Sequence, residues 1–383
     1  MRVTDRQHVD ALLAAIQGYR RDIFDRQEQI ASGKRVNRPS DDPAAYQRIE
    51  QFRYVLKTAN RRRTSVEEGQ RRLTVSDGVL DSTSNLLQRG KELAIQQRSD
   101  TNTATERTNV AKEVHQLFQQ VVSLANTEMN GRSLFAGFET ETDAFALDAA
   151  SASASSSNTG GATVSASVAS ASALQPHVYE IAFTSSTQFD ITDLTTGQLV
   201  SSGNTYTSGS PFSFNGLSVT ITNGSGPPQT GDRFYVRSEY SYQGDDNSIA
   251  VETGDRETVA TNVPGSQVFS GPTANVLTVL QDFHQALVTN DEAGIETAIG
   301  QLDAALTQVT NARTEVGARI KRLDVVRASL DLLSLNTESL RSDFEDADFA
   351  RVASELAALQ TQLEASMATL TRHFQTSLLD FLR

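Results

Sequence analysis

Ile295–Leu330 reads IETAIGQLDAALTQVTNARTEVGARIKRLDVVRASL. Apolar side chains fall at Ile295, Leu302, Val309, Val316, Leu323 and Leu330, six positions spaced seven apart. That spacing keeps one apolar stripe on one side of an α-helix, suited to packing lengthwise against another helix. No proline occurs in residues 273–383, so the stretch predicts a helix of about 45 residues, roughly 70 Å long at ~1.5 Å per residue.

The same habit recurs elsewhere. Near the N-terminus Val9, Ile16, Ile23 and Ile30 are seven apart, with Leu12 and Tyr19 between them. Val66, Leu73, Leu80, Leu87 and Ala94 form a second stripe, and Val110, Leu117 and Leu124, flanked by Val114 and Val121, form a third after a polar turn near residues 99–102. The last run follows Asp346-Ala347-Asp348. It has Phe349, Leu356, Leu363 and Leu370 at one position, Val352 and Leu359 at the other, and Leu378, Leu379, Phe381 and Leu382 at the end. An amphipathic helix in an ordinary bundle would also show such a stripe. Sustained sevenfold spacing at both ends of one chain favours helices paired along their length. The apolar groups of the two terminal arms are few for the number of residues they must order. Both arms are therefore expected to be weakly ordered alone and completed by neighbouring copies.

Proline punctuates the rest. The eight prolines leave residues 1–38, 44–175 and 273–383 free of it, and proline breaks helices. Gly33 suits a helix stop. Ser40-Asp41-Asp42-Pro43 offers capping oxygens before proline at a first helical position. Asp41 and Asp42 are read as caps rather than as a catalytic carboxylate pair. Between the helical segments lie β-like runs at 178–183, 188–191, 217–221 and 233–236, separated by Gly, Asn, Pro and Asp as hairpins require. Residues 149–173 hold 18 Ala and Ser in 25 positions, a low-complexity stretch or a weakly patterned sheet tip. The predicted fold is mainly α with a β insertion: a long antiparallel helical rod or coiled coil formed by both chain termini, plus a β-rich middle domain. The expected divisions are 1–42 with 345–383, 43–140 with 271–344, and 141–270.

Composition agrees. At 383 residues the chain is long enough for two or three domains, and an aromatic share of 7% with no Trp argues against one large globular core. The formal net charge is -13, the wrong sign for a nucleic-acid partner. Residues 1–140 carry 22 basic and 18 acidic side chains, while 141–383 carry 12 and 29. Opposite-signed halves are suited to attract each other or a neighbouring copy, solvated surface being the plainer reading. The absence of Cys removes disulfides, thiolate metal sites and Cys nucleophiles. No apolar run is long enough to span a bilayer, and the N-terminus lacks a secretory apolar core. That predicts a soluble chain without a Sec-type address.

Chemical motifs are missing. His8, His115, His177, His284 and His373 lie far apart with no metal-ligand spacing, and no phosphate-binding loop, nucleophile elbow or dinucleotide fingerprint occurs. Asp245-Asp246-Asn247 reads as a polar loop and Arg61-Arg62-Arg63 as a solvated face. No enzyme activity, cofactor or metal is expected.

Ser32-Gly33-Lys34-Arg35-Val36-Asn37-Arg38-Pro39-Ser40-Asp41-Asp42-Pro43-Ala44-Ala45 resembles the segment joining the first two helices of the bacterial flagellin superfamily. The version with Pro39 and Pro43 resembles its hook–filament junction branch, the FlgL or hook-associated protein 3 family, more than the flagellins themselves. Asn130-Gly131-Arg132-Ser133-Leu134-Phe135-Ala136-Gly137-Phe138 is similar to that family's motif after the ascending helices. Gly244-Asp245-Asp246, Gly265-Ser266-Gln267-Val268-Phe269 and the ending Ser377–Leu382 also fit. The resemblance implies a secreted structural subunit of the extracellular flagellum, exported unfolded through the flagellar type III apparatus. It implies assembly with itself, placement between FlgK and flagellin, terminal helices lining the inner tube, and the chaperone FlgN on the C-terminal segment before export. The alternatives are a flagellin and, from another class, a secreted adhesin-like binding protein. No nucleic acid and no membrane is among the implied partners.

Overall fold

The sevenfold stripe of residues 295–330 lies inside one helix, α6 (Glu292–Glu345), whose 54 residues exceed the predicted length. The structure, a computed structural model, describes residues 3–99 and 101–381, with side chains over 7–99 and 101–375. Helices α1 (Val3–Ser32), α2 (Pro43–Gln97) and α3 (Ala104–Ala125) precede the strands, and α4 (Gly265–Val268), α5 (Val276–Val288), α6 and α7 (Phe349–Phe381) follow them. The predicted mainly α fold with a β insertion is the one observed. The chain divides into two compact units, Met1–Thr64 with Arg327–Arg383, and Ser65–Val326.

In the larger unit, the stripes of α2 and α6 face inward. Val66, Leu73, Leu80, Leu87 and Ala94 are fully buried, as are Ile295, Leu302, Val309, Val316 and Leu323. Gln70 donates to Asp324 at 2.7 Å, Arg313 Nη1 to Asp81 at 2.6 Å, and Lys91 lies 2.6 Å from Asp303. Residue numbers rise on one helix as they fall on the other, so the two are antiparallel. These partly exposed pairs set register and add little energy each; the seam between them supplies the stability. The predicted polar turn is present. Thr103 caps α3, accepting from the Glu106 N–H while the Glu106 carboxylate accepts from the Thr103 N–H, a reciprocal capping box. On α3 the buried residues are Arg107, Ala111, Val114, Leu117, Phe118, Val121 and Ala125, so the flanking valines rather than Val110 and Leu124 carry the stripe.

The strands form a two-layered insertion in the same unit. One sheet has the order β3-β10-β5-β6-β7, from β3 (Phe145–Ala154), β5 (Val178–Ser185), β6 (Gln188–Asp193), β7 (Gln198–Thr205) and β10 (Arg233–Tyr242). The other has β4 (Thr163–Val168), β9 (Leu217–Thr222) and β8 (Pro211–Phe214) in that order. All pairings are antiparallel. Tyr179, Ile181, Phe183, Phe189, Ile191, Leu217, Val219, Ile221, Phe234 and Val236 share the core between the layers. The Ala/Ser-rich stretch contributes to both sheets, because Ala150, Ala152, Val164 and Ala166 pack on that core from alternate positions. Three histidines far apart in sequence, His115, His177 and His284, come together beside the sandwich. No helix among the described residues is long and apolar enough to cross a membrane.

Candidate assembly site

In the smaller unit, α1 and α7 pack against each other. Their junction is closed by the main chain. Arg35 N–H donates to the Glu345 carbonyl at 2.7 Å, and Ala347 N–H to the Gly33 carbonyl at 2.9 Å. Arg26 Nε lies 3.1 Å from Glu355. The end of α1 thus meets the start of α7, and the two helices run antiparallel. Gly33, at φ +70°, ends α1, a backbone conformation that costs glycine little.

The α1–α7 seam differs in kind from the seam of the larger unit. Val9, Leu12, Ile16, Tyr19, Ile23 and Ile30 are all half-buried, as are Leu356, Leu359, Leu363 and Leu370. Of the predicted seam residues with described side chains only Val352 is buried, and Phe349 is 63% exposed. The side chains of Leu378, Leu379 and Phe381, and all of Leu382, lie outside the described residues. Phe24, Leu332, Leu335 and Phe374 add exposed apolar surface to the same unit. Two helices bury at most the facing strip of each; the remaining apolar flank stays in water unless further helices cover it.

The loop after α1 is locked by its carboxylates. Asp42 is the N-cap of α2, accepting from the Ala45 N–H at 2.9 Å, with Pro43 at the first helical position. Asp41 does not cap the helix. It accepts from the N–H groups of Asn37 at 2.9 Å and Arg38 at 2.8 Å and so closes the turn around exposed Pro39. Hydrogen bonds from backbone N–H groups, Arg38 for Asp41 and Ala45 for Asp42, hold both carboxyls below the usual aspartate range. Sequence reasoning missed the centre of this junction. The Glu345 side chain is fully buried, and Lys34, Arg53 and Arg341 reach its carboxylate at 2.6, 2.6 and 2.8 Å. Nothing in the local sequence marks Glu345, because its partners come from three segments.

In the larger unit the second connecting motif meets the others. Asn130 and Gly131, at φ +56° and +72°, make a two-residue turn between β1 (Glu128–Met129) and β2 (Arg132–Ser133). Arg132 is exposed. Phe135 is fully buried, edge-on to Phe269 at 5.2 Å, and its carbonyl accepts from Gly265 N–H at 2.7 Å and the Tyr242 hydroxyl at 2.9 Å. Gly137, at φ +67°, lies against Asp245, whose carboxylate accepts from the Phe138 N–H at 2.8 Å; a Cβ there would overlap it. Residues 130–138, 244–246 and 265–269, quoted separately from the sequence, thus form one knot.

Residues 9–140 match the bacterial flagellin N-terminal helical region, and residues 299–382 the bacterial flagellin C-terminal helical region. The two matches fall on the helices before and after the strands and together cover more than half of the chain. The chain belongs to the bacterial flagellin superfamily. Within this superfamily member, residues 153–238 match the D2-like domain of flagellar hook-associated protein 1. The chain is 34% identical over 111 residues to a flagellin of Clostridium tyrobutyricum, covering 29% of either protein. It is 32% identical over 125 residues to flagellar hook-associated protein 3 of Escherichia coli, covering 31% of this chain and 38% of that protein. These alignments span well under half the length of either relative. A solved chain assigned as a flagellar hook-associated protein of Vibrio parahaemolyticus shares the fold. Its TM-score is 0.53 at 15% identity, over 80% of this chain and all of that one.

Proposed function

We propose that this flagellin-superfamily chain is a non-enzymatic structural subunit of the bacterial flagellum, joining the hook, through FlgK, to the flagellin filament. Its copies polymerise through α1 and α7, which line the inner tube, while the β sandwich faces solvent outside the cell. The observation that carries the assembly role is the contrast between the two seams: α2 and α6 bury their stripe in the larger unit, whereas α1 and α7 leave theirs half in water. Before export, FlgN covers the apolar face of α7. A chain without Cys threads through the export apparatus free of crosslinks.

The junction role over a filament role is supported by Pro39 and Pro43 in the first connector, by the hook-associated protein 1 match over 153–238, and by the similarity to hook-associated protein 3. Deleting the gene tests it: cells should carry hooks without filaments and shed flagellin into the medium. Intact filaments on that strain overturn it. The similarity to a flagellin at 34% identity favours the second reading, a filament subunit. Sheared filaments separate the two, since a filament subunit dominates them and a junction subunit is a trace component.

A further inference from the structure

His115 lies on α3, His177 just before β5 and His284 on α5. The His115 ring centroid is 5.4 Å from that of His284 and 5.9 Å from that of His177. His177 Nδ1 is 2.8 Å from an Asp193 carboxylate oxygen at the end of β6. Gln119 Nε2 is 2.9 Å from His115 Nε2. His284 is 3% exposed, and its Nε2 is buried with no hydrogen-bond partner. The cluster therefore sits where α3, α5 and the β sandwich meet, all within the larger unit.

The surrounding charges are few. Arg237 on β10 is the nearby fixed cation, held by Glu239 at 2.9 Å and by Asp282 of α5 at 2.6 Å. Those two carboxylates are engaged by the guanidinium. Among the described residues Asp193 is left as the anion facing the three imidazoles, with Phe118 and Tyr179 as uncharged neighbours. Among the described residues no group of three or more His, Asp or Glu is placed to hold a metal ion, so the group these rings can take up is the proton.

We propose that His115, His177 and His284 form an acid-sensitive clamp that fastens the β sandwich to α3 and α5, closed while the rings share at most one positive charge and released when a second ring is protonated. Asp193 balances one imidazolium. A second one, on half-buried His115 at 5.9 Å from His177 or on buried His284 at 5.4 Å from His115, has no counter-charge. On His284 it regains hydration only if α5 parts from α3 and from β10, to which Gln281 and Asp282 tie it. Burial, with the neighbouring imidazoles, pushes His284 down to about 3 and holds His115 below the ordinary histidine range. The closed form thus binds these protons more weakly than the open one. The clamp is at full strength above about pH 6.5 and weakens below it, by up to about tenfold per pH unit for each suppressed ring.

Hydrogen exchange on the full chain at pH 7.5 and 5.5, corrected for the intrinsic pH dependence of exchange, tests this. Protection over residues 276–288 and 178–183 should fall about tenfold or more between the two pH values, while the middle of α6 keeps its own. His284→Gln should flatten that dependence. His115→Gln, at the half-buried edge of the cluster, should reduce it even if the first variant fails to fold. Protection that is unchanged between the two pH values, or that falls as far in His115→Gln as in the parent, overturns the proposal.

Discussion

Arg53 Nη2 donates to the buried carboxylate of Glu345 at 2.6 Å, bringing the first turns of α2 to the last residue of α6. Lys34 and Arg341 complete a ring of three cations around this one anion. Burial alone would raise the Glu345 carboxyl; the hydrogen bonds and charges of Lys34 and Arg53 outweigh it and leave the group below the usual glutamate range. A depressed carboxyl lends stability that is complete above its unfolded value of about 4.3 and drains as pH falls through the lower folded one. Glu345→Gln should destabilise the smaller unit by about 2 kcal/mol, less than a fully enclosed pair because the Lys34 and Arg53 side chains are each 40% exposed. Denaturant unfolding at pH 6 and pH 4 checks both points: the variant should lose less stability than the parent between the two.

Seam substitutions should separate folding from assembly. Leu302, fully buried between α2 and α6, should cost ~2–5 kcal/mol as Leu302→Ala, seen in monomer melting. Leu363→Asp, on the half-buried face of α7, should leave the monomer's melting of the larger unit unchanged yet abolish polymerisation and motility, since a charge cannot enter a closing apolar interface without a partner. Sedimentation of the purified chain under polymerising conditions reads the outcome.

Gly137→Ala should lower stability by about 2–4 kcal/mol, because the added methyl overlaps Asp245 and the left-handed backbone resists a side chain. Gly131→Ala meets no neighbouring atom and should cost about 1 kcal/mol from backbone strain alone. Chemical denaturation of the two variants side by side gives the difference.

The two aspartates of the first connector should respond differently. Asp42→Ala removes the α2 cap and should cost about 1 kcal/mol, with faster exchange in the first turn of α2. Asp41→Ala should leave that turn protected and instead expose the amides of Asn37 and Arg38, whose acceptor it removes. Amide exchange rates at those positions decide it.

The long helices were legible because a sevenfold repeat of bulky apolar groups has one physical solution. The runs at 178–183, 188–191, 217–221 and 233–236 became β5, β6, β9 and β10 for a similar reason, alternation of period two. Strands β3 and β4 were hidden because Ala and Ser fill most of their positions, leaving Val164 and Val168 as the main apolar signal of β4. Helix α5 carries nine buried residues in thirteen, so its polar face narrows to Thr278, Asp282 and Gln285. Glu345 and the three histidines were beyond reach for another reason. Each is ordinary in its local context and becomes unusual only when partners distant in the chain arrive beside it.

Strands β3 and β10 lie side by side, and Phe145, where the chain enters the sandwich, pairs with Tyr242, where it leaves. A loop of any size can be grafted between two such neighbouring points without pulling the helices apart. The β sandwich is accordingly free to lengthen, shrink or be exchanged over generations, while the helical segments before and after it keep their spacing.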